Sequence, residues 1–153
     1  MNKKKICFVV SSPKTVRAFL QNHIKALATY YDVYLVANFE NESPSIFNLL
    51  PLKGIKDISI PREISLLKDV KALMSLRFYF IEMKFDIVHT VTPKAGLLGI
   101  FASRLASIKK RIHIFTGQVW HTKTGLFKRV LMSLDRFIVW NATDLLVDGE
   151  SQR

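Results

Sequence analysis

The chain has 153 residues, 49% of them hydrophobic, which suits about one domain with a sizeable core. One cysteine excludes an internal disulfide, and no uncharged apolar run approaches the roughly 18 residues of a spanning helix. The formal charge of +11 predicts attraction to phosphates or an anionic membrane, and it is uneven: from Lys94 to Arg136 nine basic residues face one acid, Asp135. A merely solvated basic surface is the alternative reading of that stretch.

The N-terminus, basic and then apolar, imitates a secretory leader. Its run Ile6–Val10 is shorter than the ~7–15 residues a leader needs, so a first strand is expected over Lys5–Val10. Cys7 falls within it and reads as a buried, inert thiol, compatible with a reducing cytoplasm. A helix follows over Thr15–Thr29, with Val16, Phe19, Leu20, Ile24 and Leu27 on one face. Strand two is Val33–Ala37. A polar loop, Asn38–Pro51, leads to strand three at Ile55–Ile60, which Pro61 ends.

Helical spacing of Leu66, Leu67, Val70, Leu73, Met74, Phe78 and Ile81 predicts a long helix over Ser65–Lys84 with these residues inward. Strand four is Ile87–Val91. The helix Ala95–Ser107 turns Leu98, Phe101, Ala102 and Leu105 inward, and strand five is Ile112–Phe115. A helix over Gly125–Asn141 and a sixth strand, Leu145–Val147, complete the pattern. Short apolar strands alternating with helices define an α/β domain: a parallel sheet of about six strands with helices on both faces. The expected strand order is 3-2-1-4-5-6, with a switch point between strands one and four where ligands bind such sheets.

Two loops meet at that switch point with the same pattern, Ser12-Pro13-Lys14 and Thr92-Pro93-Lys94. Each places a hydroxyl at a helix N-cap, proline at the first helical position and lysine next. Free N–H groups, the positive helix end and an ammonium together suit an anion; ordinary capping is the competing reading. Ser12 and Lys14 are therefore candidate anion- or phosphate-binding residues. A third loop, Thr116-Gly117-Gln118-Val119-Trp120-His121-Thr122-Lys123, follows strand five. Gly117 permits close backbone approach, Gln118 donates and accepts, and Trp120 offers either a flat apolar face or a core cover.

Of four histidines, His121 is the accessible candidate acid/base; His23 reads as a surface or packing residue and His113 as structural, while His89 sits just before the Thr92 loop. No metal site is expected, since no histidine pair has ligand spacing and there is one cysteine. The glycine fingerprints of dinucleotide and Walker A loops are missing, as is the G-x-S-x-G elbow, which disfavours nicotinamide, flavin and serine-hydrolase chemistry.

The segments His89-Thr-Val-Thr-Pro-Lys-Ala-Gly-Leu-Leu-Gly99 and Arg111-Ile-His-Ile-Phe-Thr-Gly-Gln-Val-Trp120, with Ile60–Ser65 and Lys68-Asp69, resemble the N-terminal, Rossmann-like domain of family-4 glycosyltransferases of the GT-B fold. The likeness is to bacterial enzymes that build capsule, O-antigen or protein-linked glycans on a polyprenyl-diphosphate carrier. It implies an acceptor-binding domain that touches the membrane, paired in the complete enzyme with a C-terminal domain for the nucleotide-sugar. In the family that second domain carries two glutamates eight positions apart; Glu40, Glu42, Glu63, Glu82 and Glu150 include no such pair. The resemblance thus implies that residues 1–153 are the acceptor half without the donor domain, catalytically silent alone. The loop after strand one also departs from the family: Ser11-Ser12-Pro13-Lys14 replaces the glycines many relatives use.

Carried over by position, Thr92, Lys94, Thr116, Gly117, Gln118 and Trp120 line the acceptor side, with the lysine and helix N-terminus facing the carrier diphosphate. The helix bearing Phe127, Leu131, Leu134, Ile138 and Trp140, with Lys128, Arg129 and Arg136, either lies on a membrane or is an ordinary core helix. The implied activity is sugar transfer with retention, with no cofactor or obligatory metal. The implied partners are a polyprenyl-diphosphate-linked glycan and the anionic inner-membrane surface, with no nucleic acid; the implied location is cytoplasmic, peripheral at that membrane's inner face. The alternatives are one subunit of a split enzyme, completed by a separate donor-binding chain, and a non-enzymatic membrane- or protein-docking module. A stand-alone nucleotide-binding domain is weakened by the missing fingerprint.

Overall fold

A computed structural model describes residues 2–40, 42–61, 63–116 and 124–147. Six parallel strands form one sheet in the order β3-β2-β1-β4-β5-β6, as expected: β1 Lys4–Val9, β2 Tyr31–Ala37, β3 Gly54–Asp57, β4 Ile87–Val91, β5 Lys110–Phe115 and β6 Asp144–Val147. The central strand shows why. In β1 and just beyond it, Cys7 and Val9 face one core while Ile6, Phe8 and Val10 face the other. An unbroken apolar run of this kind belongs to a strand covered on both sides. Burial also pushes the Cys7 thiol far up, so it stays protonated and inert as expected.

One face is covered by α3 (Leu66–Met83) and α4 (Pro93–Leu105), with α5 (Gly125–Asn141) packed beside α4 through the Phe101–Phe137 ring contact, 5.3 Å between centroids. The other carries α1 (Pro13–Thr15), a π-helical stretch (Val16–Leu20), α2 (Gln21–Leu27) and a 3-10 turn (Pro44–Phe47). There Val16, Leu20, Ile24 and Phe47 meet Phe8, Leu35 and Ile87. The 3-10 turn lies within the polar loop Asn38–Pro51 and adds to the expected elements. Strand three is shorter than expected, although Ile58 and Ile60 beyond it are still buried.

Three inward assignments are corrected. Phe19 is 54% exposed, because the five-residue π turn keeps Val16 and Leu20 in phase and rotates Phe19 out. Leu105 ends α4 and is exposed. On α3 the expected inward set is reversed: Leu66, Leu67, Val70, Met74, Phe78 and Ile81 are exposed, while Ala72, Leu76, Tyr79 and Phe80 are buried. Leu73 packs partly against the core. Both stripes have helical spacing, so periodicity found the helix and could not choose its face.

Two glycines set how closely α4 lies on the sheet. A Cβ at Gly96 would stand 2.3 Å from His113 Cε1, and one at Gly99 would stand 2.6 Å from Thr90 Cγ2. His113 is buried and its Nδ1 lies 2.8 Å from Thr90 Oγ1, which confirms its structural role. Burial, with the nearby His89, pushes the His113 imidazole down to about 4. The strand ends β1, β4 and β5 are thereby held in register with the start of α4.

Candidate functional site

Right-handed parallel connections bring every strand's carboxyl end, and the loop after it, to one edge of the sheet. A cleft of about 540 Å³ opens there over β1, β2 and β3. Ser11, Ser12 and Lys14 enter from the β1 loop, Asn38, Glu40 and Glu42 from the β2 loop, and Glu63, Ser65 and Lys68 from the segment into α3. Asn38 Nδ2 donates to Ile60 O at 3.3 Å, and Asp57 Oδ1 accepts from Phe39 N at 3.0 Å, so the β2 and β3 loops are tied together.

The two Ser/Thr-Pro-Lys loops do meet, but they are built differently. Ser12 is extended (φ −156°) and its side chain accepts from Lys14 N at 3.3 Å, an N-cap with Pro13 at the first helical position. The Lys14 side chain is exposed on the cleft wall. Thr92 has φ 79° and ψ 145°, a region that costs a residue with a Cβ about 1–3 kcal/mol. Its hydroxyl caps nothing; Oγ1 lies 2.6 Å from Ser11 Oγ, which joins the loops across the switch point.

Lys94 is not a free cation. Its Nζ lies 2.8 Å from Asp69 Oδ1, both side chains are largely buried, and it also donates to the Glu63 carbonyl. Oδ1 has no aligned hydrogen-bond donor, so the contact with Asp69 is electrostatic. Lys94 therefore fastens α4 to the start of α3 behind the cleft wall. Among the described lining residues the charge is mixed: Lys14 and Lys68 stand among Glu40, Glu42 and Glu63, with Arg17 paired to Glu42. Carboxylates accept from hydroxyls and ammoniums donate to them or to phosphates. The cleft can bind a polyhydroxylated ligand that carries limited negative charge; it is not a uniformly cationic phosphate cradle.

Thr116 follows β5 and is half-buried; by the β4–β5 register Thr92 falls level with Phe115, the residue before it. Gly117, Gln118, Trp120 and His121 lie outside the described residues. On α5, Arg129 and Arg136 are exposed and, seven positions apart, share one edge. Lys128 faces a different side. Trp140 on that edge is 78% exposed, its ring 5.6 Å from the Arg104 guanidinium. Ile138 and Asn141 bury the helix's second half, as a core helix would, while Leu126, Phe127 and Val130 in its first turns are exposed. Two cations of the basic stretch serve the fold: Arg104 binds Asn141 Oδ1, and Arg111 binds the Asn141 and Ile108 carbonyls.

Residue-by-residue reading of the sequence passed over Asn38, Glu40, Glu42 and Ser11. Their signal was positional, since each follows a strand that ends at the ligand-binding edge. His89, 8% exposed, stacks at 4.8 Å on Phe8, and its Nδ1 is unpartnered. Burial, then the nearby His23, pushes it down to about 4. It sits within β4 with its ring on Phe8, and it is not among the residues lining the cleft. Among the described residues no cluster of metal-ligating side chains is found.

An open parallel sheet flanked by helices, with a polar cleft at its carboxyl edge, defines a Rossmann-like α/β domain. Its membership is specific: the model of the glycosyl transferase 4-like family matches residues 5–144, and the chain belongs to that family. It is 28% identical over 159 residues to a capsular polysaccharide biosynthesis glycosyltransferase, CapM, of Staphylococcus aureus, covering 99% of this chain and 39% of that protein. It is 40% identical over 86 residues to the Escherichia coli UDP-Gal:alpha-D-GlcNAc-diphosphoundecaprenol alpha-1,3-galactosyltransferase, over 56% of this chain and 22% of that one. The chain thus spans about two fifths of the first relative and less of the second.

The fold is shared with Acinetobacter baumannii MurG (TM-score 0.68, 16% identity, 94% of this chain and 41% of that one). It is shared equally with the UDP-N-acetylglucosamine 2-epimerase of Rickettsia bellii (TM-score 0.73, 11% identity, 98% and 40%). An epimerase shares the architecture of a chain whose relatives are named glycosyltransferases, so the fold alone does not choose the reaction. No helix among the described residues is long and apolar enough to cross a membrane.

Proposed function

We propose that this chain is the acceptor-binding half of a glycosyltransferase that moves a sugar from a nucleotide-sugar to a lipid-linked glycan in cell-surface polysaccharide or glycoprotein biosynthesis. The observation that carries the reading is the mixed-charge cleft at the carboxyl edge of a chain from this family. Glu40 and Glu63 accept from glycan hydroxyls. Lys14 and the Ser12-capped turn face the charged end of the ligand. Thr92, held by Ser11, and Thr116 extend the same edge toward β5, where Gly117, Gln118 and Trp120 are assigned to the acceptor and His121 is the candidate acid/base. The names of both relatives support the transfer, and that of the Escherichia coli relative supports a polyprenyl-diphosphate carrier. Arg129 and Arg136 give α5 a basic edge toward the anionic inner face of the cell membrane, and Lys128, on another side of the helix, falls outside that edge.

The donor is held by groups outside residues 1–153, either in the rest of a longer chain or in a separate subunit. The purified chain is therefore expected to bind N-acetylglucosaminyl diphosphate on a short, water-soluble prenyl chain. It is also expected to transfer no radiolabelled sugar from a nucleotide-sugar. Robust transfer by the chain alone, without a second subunit, overturns the half-enzyme reading.

A further inference from the structure

The concave surface at the carboxyl edge does not end with the cleft. A trough of about 390 Å³ continues it between β3, the last strand on that side of the sheet, and α3. Glu40, Pro61 and Lys68 line both, so the two spaces join. On the strand side the trough is lined by Lys56, Asp57 and Ser59. On the helix side it is lined by Lys68, Lys71 and Ser75, three and four positions apart and so on one face of α3. Ile58 and Ala72, both buried, give it an apolar base.

The trough differs from the cleft in the sign of its charge. In the cleft Glu40, Glu42 and Glu63 stand against Lys14 and Lys68. In the trough Lys56, Lys68 and Lys71 stand against Glu40 and Asp57, and Asp57 already accepts from Phe39 N. The fold does not use these cations as it uses Lys94. Among the described residues none of the three is in an ion pair, and Lys56 Nζ lies 5.7 Å from the Tyr79 ring centroid. Lys68 and Lys71, like charges three positions apart on one helix, repel each other. An anion between them removes that repulsion, and the Ser59 and Ser75 hydroxyls can donate to it.

Parallel strands lie about 4.8 Å apart, so β1 and β3 are separated by about 10 Å. A diphosphate held at the β1 loop does not span that distance, whereas a short glycan carried on it does. An ammonium is a point charge that takes a carboxylate or a phosphate alike. We propose that the trough binds an acidic substituent, carboxylate or phosphate, on the second sugar of the acceptor glycan. This rests on the acceptor reading and adds to it the class of glycan, an acidic one.

The test uses the water-soluble prenyl diphosphate carrying N-acetylglucosamine extended by one further sugar: glucose, glucuronic acid or glucose 6-phosphate. The glucosyl and glucuronyl forms differ only in a carboxylate that replaces a hydroxymethyl group. In calorimetric titration the wild type is expected to bind at least one acidic form about tenfold more tightly than the glucosyl form, a gain of one charge-assisted contact. The acidic form that gains more tells carboxylate from phosphate. The double variant Lys56→Ala/Lys71→Ala is expected to bind all three forms alike, with the wild type's affinity for the glucosyl form. Its melting temperature stays unchanged, because both side chains are exposed; Lys68 is kept because it also lines the cleft. Equal binding of all three forms by the wild type overturns the trough site and leaves the acceptor reading standing. A preference that survives in the variant also overturns it. Binding of none of the three by the wild type breaks the acceptor reading, and the trough site with it.

Discussion

The loops after β1 and β4 share a Ser/Thr-Pro-Lys pattern and do opposite work. In the first, Ser12 caps its helix and Lys14 stands exposed on the cleft. In the second, Thr92 adopts a strained backbone, its hydroxyl holds Ser11, and Lys94 is neutralised by Asp69. Three residues of sequence specify a helix start. What the lysine then does depends on the nearest carboxylate, and for Lys94 that carboxylate comes from another helix 25 positions earlier. One loop presents a charge and the other fastens the wall behind it.

The β4 side also rests on buried neutral histidines, and the β1 loop does not. His89 and His113 are pushed from an ordinary 6.5 to about 4, mainly by burial. The unfolded chain therefore binds more protons than the fold between those values, and stability falls as pH drops through that window. The loss is expected to be on the order of 3 kcal/mol by pH 4, less than the two shifts summed because the histidines interact. Urea denaturation from pH 7 to 4 checks it, and a flat profile would remove the histidines from the account.

Lys94→Ala should cost about 2–3 kcal/mol, since it leaves the Asp69 carboxylate largely buried without its cation. Thermal melting reads this directly. A cost no greater than that of an exposed lysine would return Lys94 to the cleft and erase the contrast between the loops. Gly96→Ala should cost about 1–3 kcal/mol, because its Cβ meets the buried His113 ring. In the double variant Gly96→Ala/His113→Ala that penalty should shrink, and an undiminished penalty would mean that α4 is positioned by something else.

The fold was legible because each strand is a continuous apolar run, so strand order and switch point followed from general rules of parallel sheets. The helix face of α3 was not, because that helix carries an apolar stripe on both sides. The TPKAG motif was legible as a helix start. Its glycine was not legible as a packing device, since its constraint is a histidine on the next strand. In the cleft, Ser12 and Lys14 could be found from capping chemistry. Glu40, Glu42 and Glu63 could not, because a carboxylate in a polar loop looks the same whether it faces solvent or a ligand.

The central claim, that the β1 side binds the acceptor, is tested most directly by calorimetric titration of the water-soluble N-acetylglucosaminyl diphosphate prenyl compound into the wild type and Lys14→Ala. The account predicts binding that weakens about tenfold in the variant, a loss of one charge-assisted contact, with an unchanged melting temperature. Equal affinity in both proteins, or no binding to the wild type, would contradict it.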